Sequence, residues 1–227
     1  SAYGRPTYRD ILWPMVTVAP CGALQQLESD YIALKTLEGS GHVVHQFTEL
    51  LSKAIPPRDS SHPIEQAHFD FAASIQCVTE ELGVDFAKQA MQLTGHKQLA
   101  IAGGVGLNGL MNEAIRQQSG CQDIFIYPAA SDDGTSVGAA QYSLASSKPL
   151  PPSRITTCYL GNEFTDQEIR VELSARDLRF TQPGSIHRSI AEALAAGKIV
   201  ARFNGRSEFG PRALGNRSIL ANPCMAS

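Results

Sequence analysis

The chain has 227 residues, 43% of them apolar, with 19 basic and 22 acidic side chains and a net charge of −3. That is enough chain to bury a core in one large or two small domains, and too little charge imbalance to suggest a nucleic-acid or anionic-membrane surface. No apolar run approaches the roughly 20 residues that span a bilayer, and no secretory leader is visible at the start.

Residues 1–65 carry scattered prolines and little periodicity. His42 and His45 stand three apart, as metal ligands on a helix would, but no further ligand cluster is near them. His62, His68, His96 and His187 are isolated and are assigned no metal. From His68 the pattern sharpens. Phe71, Ile75, Val78, Leu82, Phe86, Ala90 and Leu93 recur at helical spacing, which predicts a long amphipathic helix with a soft point at Gly83 and a stop at Gly95. "QLAIA" (98–102) predicts a buried strand, "LNGLMNEAIRQQS" a helix closed near Gly120, "DIFIYP" (123–128) a second strand and "DDGTSVGAAQYSLAS" (132–146) a third helix. Alternation of this kind predicts an α/β layer fold. "SSKPLPPS" (146–153) reads as a linker. Beyond it lie a helix capped by Thr165 or Asp166, a second helix stopped by Gly197, a strand "KIVARF" (198–203) and a turn at Asn204-Gly205. The five cysteines, Cys21, Cys77, Cys121, Cys158 and Cys224, form no C-x-x-C pair. That argues against a zinc ribbon or redox motif and for a reduced, cytoplasmic protein.

Three stretches carry chemistry. In "AGGVGLNG", Gly104, Gly106 and Gly109 have the G-x-G-x-x-G spacing of a dinucleotide turn. Such a turn needs an acid at the end of the second strand to hold the ribose. The only acid at that distance, Asp123, falls at the strand's start, so the dinucleotide reading fails. The segment remains a good place for phosphate, with backbone N–H groups between strand and helix and an amide at Asn108; a plain tight turn is the alternative. In "YPAASDDGTSVGAA", Asp132 and Asp133 could ligate a metal or hold a ribose, although a helix cap is the simpler reading of the residues alone. In "RFNGRSEFGPRALGNRS", Arg206, Arg212 and Arg217 fall within twelve residues among glycines and a proline. A planar guanidinium fork in a glycine-rich loop suits an anion, with Glu208 expected to orient one of the arginines. Neither a P-loop nor a G-x-S-x-G elbow is present.

"HFDFAASIQ", "LAIAGGVGLNGLMNEAI", "IFIYPAASDDGTSVGAA" and "ARFNGRSEFGPRALGNRSILANP" together resemble, in order and spacing, the NodU/CmcH family of O-carbamoyltransferases. The resemblance covers most of Ala67 to Pro223. It implies the second half of an ASKHA (actin/Hsp70, ribonuclease H-like) domain over 1–148, followed by the first part of a YrdC-like α/β domain over 149–227. It further implies joining of carbamoyl phosphate and ATP into carbamoyl adenylate. The carbamoyl group would then pass to a hydroxyl of a small-molecule natural product, helped by a divalent metal of iron type or magnesium. By the same resemblance Gly103, Gly104 and Asn108 face the nucleotide and Asp132 ligates the metal. Arg206, Asn216 and Ser218 bind phosphate, and Arg212 and Arg217 are catalytic. No nucleic-acid or membrane partner is expected.

The sequence departs from the family near its start. "PMVTVAPCG" lacks the lysine of a similar family segment, with Pro14 or Met15 in its place, and Thr17 replaces a glycine. The family's metal histidines find no match here. The chain is therefore expected to be a piece of a longer enzyme, inactive in the full reaction by itself. The alternatives are a degenerate, non-catalytic nucleotide-binding module of the ASKHA superfamily, or an actin-like ATPase without carbamoyl chemistry; the second anion motif argues against the latter.

Overall fold

The computed structural model describes residues 3–13, 58–59, 61–149 and 155–224, the isolated positions 52 and 55, and the backbone of four two-residue strands nearer the start. Most of "PMVTVAPCG", together with His45 and residues 150–153 of the linker, lies outside the described residues. The chain divides into two units. One comprises residues 1–101 and 105–126, the other 102–104 and 127–227.

In the first unit, helix α1 (Arg9–Leu12) precedes two short antiparallel ladders. These pair β1 (Val16–Thr17) with β2 (Gln26–Leu27), and β3 (Ile32–Ala33) with β4 (His42–Val43). His42 therefore sits on a strand and not on the helix its spacing to His45 suggested. The long helix α2 runs from Gln66 to Thr94 and ends where expected, with Gly95 at φ 71° and its N–H donating to the Met91 carbonyl at 2.9 Å. The helix runs unbroken through Gly83. A Cβ there would lie 2.6 Å from Met111 Cγ, so the glycine lets a neighbouring side chain reach the helix.

That neighbour stands on α3 (Gly109–Gln118), which connects β5 (Gln98–Ile101) to the parallel strand β6 (Asp123–Ile126). Val84 and Ala87 of α2 pack with Met111, Ala114 and Ile115 of α3, and Leu99, Ile101 and Ile124 close this core from the strands. Asp123 opens β6, as the strand pattern requires. Residues 3–13, where the sequence offers no periodic signal, are held to α2 by polar contacts. The Tyr8 N–H donates to Ser74 Oγ at 3.0 Å, Ser74 being fully buried, and Arg9 Nε donates to Glu81 Oε1 at 2.8 Å.

The second unit holds α4 (Thr135–Ser147), α5 (Asp166–Ala175), α6 (Ile186–Ala195) and the antiparallel pair β7 (Val200–Phe203) and β8 (Arg217–Leu220). Thr165 caps α5 in a reciprocal box with Glu168. The strand expected from Lys198 begins at Val200 instead. Gly197 and Lys198 donate their N–H groups back to Leu194 and Ala193, which closes the helix and delays the strand. Among the described residues α4, α5, α6, β7 and β8 bury no side chain fully. Mixed α/β structure with small sheets is thus what the chain adopts.

The two units should respond differently to truncation. Ile115, 3% exposed at the centre of the first core, should cost about 3 kcal/mol as Ile115→Ala. Ile219, 80% exposed on β8, should cost less than about 0.5 kcal/mol as Ile219→Ala. Urea unfolding of the two variants measures both values.

Candidate functional site

The segment after β5 turns sharply. Gly103 takes φ 100°, which a side chain would strain, and gives its N–H to the Ala130 carbonyl at 2.6 Å. That donor is spent inside the fold and is not available to a phosphate. Gly103 and Gly104 line a cavity of about 330 Å³ with Tyr127, Ser131, Asp132 and Thr135, at the low end of ligand-sized pockets. Gly134 is needed there, because a Cβ would fall 2.2 Å from the Ala129 carbonyl oxygen. A larger groove of about 720 Å³ lies elsewhere in the unit, bordered by Phe164, Ile169, Leu173 and Phe203. Its two acids are already engaged, Glu168 with Thr165 and Glu172 with Arg176. It contains none of the expected site residues, so size alone does not select it.

The tandem acids do not cap α4. Asp132 and Asp133 form a 3₁₀ turn with Gly134, and Gly134 stands at the helix N-terminus with no side-chain cap. Thr135 Oγ1 instead donates to the Asp132 backbone carbonyl at 2.6 Å. Both carboxylates are exposed, and the Asp132 carboxylate has no hydrogen-bond or ion-pair partner among the described residues. No group of three metal-ligating side chains occurs among those residues either. Asp132 alone does not make a metal site.

Asn108, in the first unit, has a structural duty that the sequence reading did not assign. Its Oδ1 accepts the Met111 N–H at 3.1 Å and so caps α3, and its amide pairs with that of Gln76. Gln76 belongs to "HFDFAASIQ" but was not singled out, since a contact 32 residues away leaves no local spacing signal.

The arginine motif folds as one loop between β7 and β8. Glu208 was expected to orient an arginine and does something else. Its Oε1 accepts the backbone N–H groups of Leu214 at 2.8 Å, Asn216 at 2.8 Å and Arg217 at 3.3 Å. Main-chain donors thus wrap an anion, as the glycines suggested, but the anion is the protein's own. Partial burial pushes the Glu208 carboxyl up, and the N–H groups of Leu214, Glu208 itself, Asn216 and Arg217 outweigh it, holding the group at about 2.

Arg217 spends three donors on the carbonyls of Asn204, Asn216 and Gly205, and its guanidinium lies 3.4 Å from the centre of the Phe203 ring. The Asn216 amide bridges Arg206 O and Asn204, and Ser218 Oγ accepts from Gly215. Arg206 is loosely tied at 3.4 Å to Glu163 and to Gly161 O. Arg212 is exposed and has no partner among the described residues. The loop also packs onto the Asp132 segment. Gly210, at φ 118°, sits where a Cβ would meet the Pro128 carbonyl oxygen at 2.3 Å, and Phe209 meets Tyr127 edge-on with ring centres 6.4 Å apart.

A family model described as the carbamoyltransferase N-terminus matches residues 29–141, and one described as the carbamoyltransferase C-terminus matches residues 191–227. The chain belongs to the carbamoyltransferase family. It is 36% identical over 193 residues to nodulation protein NolO of Bradyrhizobium diazoefficiens, covering 82% of this chain and 35% of that protein. Against the 3'-hydroxymethylcephem-O-carbamoyltransferase of Amycolatopsis lactamdurans it is 34% identical over 161 residues, 70% of this chain and 29% of that enzyme. An uncharacterized protein of Synechocystis sp. is 32% identical over 230 residues, 97% of this chain and 37% of that protein. The chain therefore spans about a third of the length of the curated relatives it matches. No helix among the described residues is long and apolar enough to cross a membrane.

The bound carboxylate makes the arginine loop acid-sensitive in a defined window. Because the folded value of Glu208 lies below that of a free glutamate, its stabilisation is complete above about pH 4.5. It fades as the pH falls and is lost below about 2, where the folded group itself protonates. The amide proton shifts of Leu214, Asn216 and Arg217 should hold steady down to about pH 4 and move with a midpoint near 2. A midpoint near that of a free glutamate would contradict the contact.

Proposed function

We propose that this chain is part of an O-carbamoyltransferase that joins carbamoyl phosphate and ATP into carbamoyl adenylate and delivers the carbamoyl group to a hydroxyl of a small molecule. Within it, 1–148 are assigned to the later half of an ASKHA-type domain and 149–227 to the start of a YrdC-like domain. One observation carries the reading beyond family membership. The cavity lined by Gly103, Gly104 and Asp132 and the loop holding Arg212 belong to segments packed on each other through Gly210 and Phe209. A phosphate-bearing substrate needs both a backbone that approaches closely and a cation not already paired.

In this reading Gly103 and Gly104 keep the turn free of side chains, and Asn108 donates an amide hydrogen to the nucleotide. Arg212, without a partner among the described residues, neutralises phosphate or pyrophosphate as it leaves. Arg206 can swing from its long contacts to a second phosphate oxygen. Arg217, Asn216 and Ser218 act by holding the loop in which Arg212 stands. When bound, a divalent metal would polarise the carbamoyl carbonyl. Asp132 would be one of its ligands, and the described residues supply no others. The second reading is a nucleotide-binding module without catalysis.

The full-length parent protein separates the two. An active transferase should release phosphate from carbamoyl phosphate only when ATP is present. Arg212→Ala should lower that rate on the order of a hundredfold without changing thermal stability. Arg217→Ala should lower both rate and melting temperature. Absence of ATP-dependent release in the unaltered protein would leave the module reading; unchanged turnover in Arg212→Ala would remove Arg212 from the site.

A further inference from the structure

Helix α2 brings one amide, Gln76, against the residue that caps α3. Gln76 Nε2 donates to Asn108 Oδ1 at 3.1 Å, and Asn108 Nδ2 donates back to Gln76 Oε1 at 2.9 Å. Asn108 Oδ1 also accepts the Met111 N–H at 3.1 Å. A backbone N–H can only donate, so this contact decides which end of the Asn108 amide is oxygen. Gln76 is fixed in its turn, since Nε2 also donates to Glu80 Oε1 at 2.8 Å. Both acceptor positions of Asn108 are thereby filled, and one of its two amide hydrogens is committed to Gln76. A single N–H remains.

We propose that Gln76 is a positioning residue, locking the Asn108 amide so that its one free N–H meets an acceptor oxygen of the bound nucleotide. The proposal rests on the assignment of Asn108 to the nucleotide site. It adds a selectivity: with its oxygen saturated, Asn108 recognises a phosphate or ribose oxygen as an acceptor and cannot recognise a group that only donates. Glu80 supports the lock from one turn further along α2.

The test is ATP titration of the 227-residue chain by calorimetry, with Gln76→Met, Asn108→Asp and the double variant. Aspartate keeps the helix cap but lacks the N–H. Each single change should weaken ATP binding by about tenfold. The double variant should bind no more weakly than Asn108→Asp alone, because Gln76 acts only through Asn108. Additive losses, or a Gln76→Met variant that binds ATP normally, would overturn the proposal. Parallel titrations with tripolyphosphate and with adenosine identify the oxygen: an Asn108→Asp loss with the former assigns phosphate, with the latter ribose.

A second readout needs no nucleotide. In the NMR spectrum of the free chain, one Asn108 side-chain amide proton should exchange slowly with solvent, and Gln76→Met should remove that protection. Unchanged exchange defeats the lock itself. Protection that behaves as expected in a chain that binds no ATP defeats the nucleotide assignment instead.

Discussion

The Glu208 carboxylate draws the N–H groups of Leu214, Asn216 and Arg217 around one oxygen, and much of the second unit follows from that contact. An anion surrounded by main-chain donors forces the backbone into tight, partly left-handed turns, which is why Gly210 and Gly215 stand at φ 118° and 108°. Folding the loop this way brings Arg217 over Phe203 and onto three carbonyls. It also sets Gly210 against Pro128. The glycine-rich arginine motif thus encloses a charge from within the chain. Among the described residues this arrangement leaves the Arg212 guanidinium without a partner.

The sequence made the regular elements legible wherever apolar residues repeat with one period. The long helix, the β5–α3–β6 unit and the helices α5 and α6 fall where the spacing, the cap at Thr165 and the stop at Gly197 put them. Contacts distant in sequence were not legible. Gly83 looks like a weak point in a helix until Met111 is seen packed against it. Residues 3–13 show no periodicity, because hydrogen bonds to Ser74, Asp70 and Glu81 and the edge-on contacts Tyr3–Phe69 and Tyr8–Phe71 hold them at irregular intervals. The stop at Gly197 was visible, but not that Gly197 and Lys198 would both donate back to the helix before the strand began.

The candidate site was legible as chemistry and less so as division of labour. Composition and spacing brought out the glycine turn, the tandem acids and the arginines. They could not say that Gly103 has already given away its N–H or that Asn108 caps a helix. Nor could they separate Arg217, which holds a loop, from Arg212, which has no partner among the described residues. Each of these depends on where a donor finds its acceptor. Membership of the carbamoyltransferase family explains why the motifs travel together, and the hydrogen bonds say which of their side chains the fold already uses.

Amide hydrogen exchange in the Glu208→Gln variant tests the loop most directly. A neutral amide is a weaker acceptor than a carboxylate for three main-chain donors. The account predicts that the Leu214, Asn216 and Arg217 amides lose at least tenfold of their protection, while those of α3 in the other unit exchange as before. Equal protection of these three amides in both proteins would show that the loop holds its shape without the carboxylate, and would contradict the account at its root.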